Sequence, residues 1–130
     1  MTESDGIQRR LLLIDNHDAY LGVMEEVFVM EGFIVTRVHR REEAMPLFRT
    51  EQFDLILLDT VARVRADEGY ERLGQLRTAA ARIPIVLISG YGDADGLDPA
   101  QLEIAAIWTK PLELDELLAK VEALITPSVP

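Results

Sequence analysis

The 130-residue chain carries 23 acidic and 13 basic residues, a formal net charge of −10. An acidic surface repels nucleic-acid phosphates, so direct binding of DNA or RNA is not expected. The chain has no cysteine, which excludes disulfides, a thiolate nucleophile and cysteine-ligated metals. No apolar run approaches the roughly 18–20 residues that cross a bilayer, and the polar first residues lack a signal-peptide core. We therefore expect one soluble, cytoplasmic domain without a membrane partner.

Apolar runs alternate with amphipathic stretches along the chain, which is typical of strands alternating with helices. Pro46 falls inside one predicted helix, and we expect that helix to be kinked or poorly formed. The strands are apolar on both faces, which favours a single doubly wound parallel α/β sheet with helices on both sides. The predicted elements are strand 8–15, helix 19–31, strand 33–38, helix 42–50, strand 53–59, helix 68–81, strand 84–89, short helix 100–103, strand 104–109 and helix 113–125.

Two further patterns concern the packing and the surface. The last helix carries an apolar stripe that predicts its buried face, and a basic cluster follows the second strand. We interpret the basic cluster as a solvated strand end, with a partner-docking patch as the lesser alternative. The stripe comprises Leu114, Leu117, Leu118, Val121 and Leu124, and the cluster runs through Arg37, His39, Arg40 and Arg41.

Polar residues end several predicted strands. Asp15 and Asp59 each end a buried strand, Ser89 ends the fourth strand, and Lys110 follows the fifth. In an open parallel sheet, ligands bind beyond the carboxyl ends of the strands. Two carboxylates that meet there repel each other unless a cation lies between them or one of them is protonated, and Mg²⁺ prefers oxygen ligands. A carboxylate can also attack a phosphoryl group, so Asp59 is a candidate nucleophile and Asp15 a candidate metal ligand.

Four segments together resemble the receiver domain of a two-component response regulator, over residues 8–126. They are Leu12-Leu13-Ile14-Asp15-Asn16, Ile56-Leu57-Leu58-Asp59, Val86-Leu87-Ile88-Ser89-Gly90-Tyr91-Gly92-Asp93 and Thr109-Lys110-Pro111-Leu112. The resemblance implies a flavodoxin-like sheet of strand order 2-1-3-4-5. It also implies Mg²⁺-dependent phosphorylation of Asp59 by a histidine kinase or phosphotransfer protein. In that family Ser89 matches the switch hydroxyl, Lys110 the active-site lysine and Lys110–Pro111 a bond that is usually cis.

The chain departs from the family pattern at two places. The second acidic position after the first strand is Asn16, which keeps an oxygen but lacks a charge. The loop 60–69 has no proline and is about two residues longer than usual, and the backbone carbonyl of Val61 is the expected metal ligand there. We therefore predict a metal site formed by Asp15, Asn16, Asp59 and Val61 that binds Mg²⁺ weakly.

The leading hypothesis is a phosphoryl-accepting switch rather than a turnover enzyme. It would dimerise or dock partners through the last strand and helix, and residues 1–7 and 127–130 would be flexible ends of the domain 8–126. The alternative is a degenerate receiver that binds a partner without phosphorylation. An aspartyl-nucleophile phosphatase fits poorly, since such enzymes usually carry a second Asp where this chain has Val61.

Overall fold

The computed structural model describes residues 9–15, 20–60, 67–90 and 97–125. Within these ranges five strands form one sheet of order β2-β1-β3-β4-β5, in which every neighbouring pair is parallel. The predicted sheet type and strand order are both confirmed. The strands are β1 (Arg9–Asp15), β2 (Phe33–Val38), β3 (Leu55–Thr60), β4 (Ile85–Ser89) and β5 (Ala106–Thr109).

Helices α1 to α4 lie in the connections between successive strands, as a parallel sheet requires, and α5 follows the last strand. They are α1 (Tyr20–Met30), α2 (Arg41–Ala44), α3 (Asp67–Ala79), α4 (Pro99–Leu102) and α5 (Leu114–Ile125).

Local sequence explains where some of these helices begin or end. After α1, Gly32 adopts φ 95°, a conformation that glycine reaches without steric cost. The predicted helix 42–50 divides into α2 and a 3₁₀ segment, Met45–Arg49, because Pro46 has no N–H to continue an α-helix. The expectation of a poorly formed helix is confirmed. At α4 the Asp98 carboxylate accepts a hydrogen bond from Ala100 N at 3.0 Å and caps the helix.

Helices α1 and α5 cover one face of the sheet. Met24 and Phe28 of α1 and Leu117 and Val121 of α5 are buried in this layer. The strand residues that they meet alternate along β1, β3 and β4, as the two-residue period of a strand requires. These strand residues are Leu11, Leu13, Leu55, Leu57, Val86 and Ile88.

The intervening strand residues pack on the opposite face, against the segments from α2 to α4. Ala44 of α2 and Leu76 of α3 are fully buried there, and Leu102 of α4 is nearly so. The sheet is therefore wound on both sides, as predicted. The strand residues on this face include Leu12, Ile14, Ile56, Ile85 and Leu87.

The predicted apolar stripe of α5 is only partly buried. Leu117 and Val121 are fully buried, whereas Leu114 and Leu124 are each 38% exposed. Leu117 and Val121 lie in the middle of α5 and belong to the core formed with β1, β3 and β4, whereas Leu114 and Leu124 lie in the first and last turns of the helix.

Candidate functional site

Asp15 and Asp59 lie side by side at the carboxyl edge of the sheet. They are register partners across β1 and β3, and both are buried, with 2% and 0% of their surface exposed. Most of the apolar residues that precede each of them are buried, so these two strands run through the core and present their carboxylates at its edge. Two neighbouring buried carboxylates repel each other unless cations compensate them.

Lys110 supplies one compensating cation. Its Nζ atom lies 2.8 Å from Asp59 Oδ1, and the side chain is only 17% exposed. The backbone positions it, since Lys110 N donates a hydrogen bond to the carbonyl of Ser89 at 2.8 Å. The Lys110–Pro111 peptide is cis, as the resemblance implied. Ser89 ends β4, between β3 and β5, where it is the register partner of Thr60 and Thr109, and it is buried.

Arg37 supplies a second cation, which the sequence did not lead us to expect at the site. Its Nη1 atom lies 3.8 Å from Asp15 Oδ2, and its Nε donates to Glu25 Oε1 of α1 at 2.8 Å. Arg37 is exposed, as expected of a solvated strand end, but its guanidinium also reaches the buried carboxylate of Asp15. A signal was available: Arg37 lies near the carboxyl end of β2, the neighbour of β1, and it is the register partner of Leu13, two residues before Asp15.

Two buried polar atoms of the site have no hydrogen-bond partner within the described part of the chain. They are Asp15 Oδ1 and Ser89 Oγ. Buried polar atoms are nearly always hydrogen-bonded in folded proteins, and exceptions often mark functional positions. A carboxylate oxygen and a hydroxyl that face the same sheet edge suit a cation and an oxyanion, respectively.

The four predicted residues Asp15, Asp59, Ser89 and Lys110 are thus brought to one edge of the sheet. Two others, Asn16 and Val61, lie outside the described residues. In the described ranges no group of three or more acidic, histidine or cysteine side chains converges, so these ranges contribute two carboxylates. Paired carboxylates with an available oxygen fit Mg²⁺, which is commonly held by one or two carboxylates together with phosphate and water.

A family model for the response regulator receiver domain matches residues 11–122. The chain belongs to this family. Receiver domains of response regulators are signalling switches of two-component systems, so this is the role of the fold described above. Separately, none of the helices in the described ranges is long and apolar enough to traverse a bilayer.

Among curated relatives, this receiver domain is 32% identical over 120 residues to the cell cycle response regulator CtrA of Brucella ovis. The alignment covers 92% of this chain and 51% of CtrA. The chain therefore spans about half the length of the curated relatives that it matches.

Two solved structures illustrate the shared fold. A response regulator from Thermotoga maritima superposes with a TM-score of 0.77 at 20% identity, covering 93% of this chain and 100% of that one. The receiver domain of the sensor histidine kinase PA1611 from Pseudomonas aeruginosa PAO1 gives a TM-score of 0.70 at 22% identity, with coverage of 93% and 100%. The latter structure has a magnesium ion coordinated in its active-site cleft.

Proposed function

We propose that this receiver domain accepts a phosphoryl group on Asp59 with the help of Mg²⁺ and so acts as a phosphorylation switch rather than a turnover enzyme. The observation that carries the proposal is the position of Lys110 Nζ, 2.8 Å from Asp59 Oδ1, with Asp15 in register beside them. A lysine and a carboxylate held together at the carboxyl edge of a parallel sheet provide a nucleophile and a cation for the incoming group.

In the proposed reaction an Asp59 carboxylate oxygen attacks phosphorus, a new O–P bond forms, and the bond from phosphorus to the donor breaks. The donor would be a phosphohistidine of a histidine kinase or phosphotransfer protein, whose imidazole leaves with the bonding electron pair. Such transfers depend mainly on positioning and charge neutralisation, and a bound Mg²⁺ would neutralise phosphoryl oxygens. Asp15 and Asp59, with Asn16 and the Val61 carbonyl, are the proposed ligands for that ion.

After transfer, Lys110 would pair with a phosphoryl oxygen in place of the Asp59 carboxylate, and the Ser89 hydroxyl would donate to another. Ser89 is suited to this role because its buried Oγ makes no hydrogen bond to any of the described residues. Movement of β4 and of the segment after β5 toward the phosphoryl group would then change the surface that a partner reads.

The output surface that we propose is β5 with α5, used for homodimerisation or partner docking. Leu114 and Leu124 support it, because each exposes 38% of its surface on α5. The receiver domain, taken as residues 8–126, would not itself bind nucleic acid, given the net charge of −10.

The experiment is phosphorylation by acetyl phosphate in Mg²⁺, read out by intact mass. We expect one phosphoryl adduct on the wild type, none on Asp59→Asn, and an undiminished adduct on the matched control Asp54→Asn, which alters an exposed carboxylate five residues earlier in the same segment. An adduct that persists on Asp59→Asn, or no adduct on the wild type with acetyl phosphate or a phosphorylated kinase, would contradict the proposal. The second result would favour the alternative of a phosphorylation-independent interaction module.

A further inference from the structure

The Asp15 carboxylate faces a cation that belongs to the protein itself. Arg37 Nη1 lies 3.8 Å from Asp15 Oδ2, while the other carboxylate of the pair, Asp59, has Lys110 at 2.8 Å. Asp15 is 98% buried, so its charge is poorly screened by water, and a guanidinium at this distance interacts with it strongly.

Arg37 is held in this position by α1. Its Nε donates to Glu25 Oε1 at 2.8 Å, and the guanidinium passes over Gly22, where an added Cβ would lie 3.5 Å from both Cζ and Nη1. The Arg37 and Glu25 side chains are 34% and 31% exposed, so the pair lies at the rim of the site. The Arg37 guanidinium thus contacts two carboxylates, the buried one of Asp15 at the site and that of Glu25 on α1.

The distance to Asp15 also matters. At 3.8 Å the contact is an ion pair but not a hydrogen bond, since charge-assisted N–H···O bonds are roughly 2.7–2.9 Å long. Arg37 therefore lowers the negative potential at Asp15 without occupying Asp15 Oδ1, which makes no hydrogen bond within the described ranges. This oxygen therefore keeps its lone pairs for coordination of a metal, but a second cation must approach against the guanidinium charge.

We propose that Arg37 is a tethered cation that competes with a divalent metal for Asp15 and sets the metal affinity of the site. It is a positioning residue, not a catalytic one. The inference rests on the proposed function, since it concerns the metal that assists phosphoryl transfer. Metal binding would move the Arg37 guanidinium away from Asp15 and toward Glu25.

The proposal predicts that Mg²⁺ affinity changes in opposite directions in variants of Arg37 and of its partner Glu25. Arg37→Gln removes the competing charge, and we expect it to tighten Mg²⁺ binding roughly tenfold. Glu25→Gln removes the carboxylate that receives the displaced guanidinium, so it should weaken Mg²⁺ binding. A purely structural role for Arg37 would not produce this reversal, because loss of either partner would break the same ion pair.

The test is Mg²⁺ titration by isothermal calorimetry, with thermal unfolding measured in the presence and absence of Mg²⁺. The matched control is Arg9→Gln, because Arg9 is 31% exposed and also pairs with a helix carboxylate, that of Glu122, but at the opposite end of β1. Arg9→Gln should lower the melting temperature and leave the Mg²⁺ dissociation constant unchanged. Arg37→Gln should show a lower dissociation constant and a larger rise in melting temperature with Mg²⁺ than the wild type.

Equal or weaker Mg²⁺ binding by folded Arg37→Gln would overturn the proposal, as would tighter binding by Glu25→Gln. Absence of Mg²⁺ binding in both the wild type and Arg37→Gln would overturn it as well. The phosphorylation assay separates this inference from the proposed function. A phosphorylated wild type with unchanged affinity in Arg37→Gln refutes the role of Arg37 alone. Tighter binding in Arg37→Gln without any phosphorylation refutes phosphoryl acceptance alone.

Discussion

The two ends of the sheet treat their polar residues differently. At the amino edge of β1, Arg9 pairs with Glu122 at 3.3 Å, donates to the Glu31 carbonyl at 2.9 Å and lies 4.1 Å from the centre of the Phe33 ring. On the same edge an exposed carboxylate, that of Asp54, accepts a hydrogen bond from the backbone N–H of Arg10 at 2.8 Å. These polar groups are partly or fully exposed, and their contacts are those of a stabilising surface.

At the carboxyl edge the carboxylates are instead buried. Asp15 and Asp59 expose 2% and 0% of their surface, and within the described ranges Asp15 Oδ1 and Ser89 Oγ accept no hydrogen bond. Burial of charge without full compensation costs stability and is retained where a ligand uses it. The same residue types therefore stabilise the protein at one edge of the sheet and are arranged for a ligand at the other edge.

Among the changes that distinguish the two edges, we expect Lys110→Met to have the largest effect on the free energy of unfolding. This change removes the ammonium 2.8 Å from the fully buried carboxylate of Asp59. Removing one partner of a buried ion pair costs about 3 kcal/mol, and Lys110 is partly exposed, so we expect about 2–3 kcal/mol of destabilisation. Chemical denaturation in the absence of Mg²⁺ measures it.

Lys120→Met is the matched control for that measurement. Lys120 lies on α5 with Nζ 5.6 Å from the centre of the Trp108 ring, away from the site carboxylates. A cation–π contact of this kind contributes about 0.5–1 kcal/mol. If Lys110→Met were no more destabilising than Lys120→Met, the Lys110–Asp59 pair would not be the principal compensation at the carboxyl edge.

The sheet could be predicted from sequence because its signal is local. Runs such as 11–14 and 55–58 are apolar on both faces, which indicates strands buried between two layers, and the amphipathic segments between them indicate helices. The carboxylates at the strand ends followed from the same reasoning, since parallel strands deliver their carboxyl ends to one edge. The structure of residues 42–50 was harder to predict, because Pro46 indicates that the α-helix is interrupted but not that a 3₁₀ helix follows.

Arg37 shows what local patterns leave out. Its neighbours in sequence, His39 and Arg40, are exposed, so the segment resembles a solvated basic cluster. Its proximity to Asp15 depends on β2 being the neighbour of β1 and on the position of Glu25 across the α1–β2 connection. The charged end of a long side chain also lies several ångströms from its backbone. Which carboxylate an arginine reaches therefore follows from packing rather than from the spacing of residues in the sequence.

Replacing one carboxylate at each edge by an amide should change the free energy of unfolding by a smaller amount, and in opposite directions at the two edges. Asp15→Asn removes one of two neighbouring buried charges, and we expect it to stabilise the Mg²⁺-free protein by about 1 kcal/mol. Asp54→Asn weakens a charge-assisted hydrogen bond to Arg10 N and should destabilise by about 1 kcal/mol. Paired urea titrations without metal measure both, and changes of the same sign would remove the proposed distinction between the edges.

The smallest effect concerns a carboxylate at the carboxyl edge that is exposed. Hydrogen bonds from the backbone N–H groups of His39 at 2.8 Å and Arg40 at 3.1 Å lower the pKa of Glu43 from its ordinary value of 4.5. A carboxyl whose pKa is lower in the folded state stabilises the fold above the unfolded value, and that contribution is lost as pH falls through the folded value.

Wild type and Glu43→Gln should therefore differ most in melting temperature above pH 4.5, and the difference should shrink as the solution is acidified below it. Glutamine keeps an acceptor for the same two N–H groups, so the comparison isolates the charge. Melting curves at a series of pH values with fixed ionic strength would measure this, and a difference that is constant across the series would refute the assignment. A charged carboxylate that stabilises at this edge would also show that burial, rather than location, makes Asp15 and Asp59 costly to the fold.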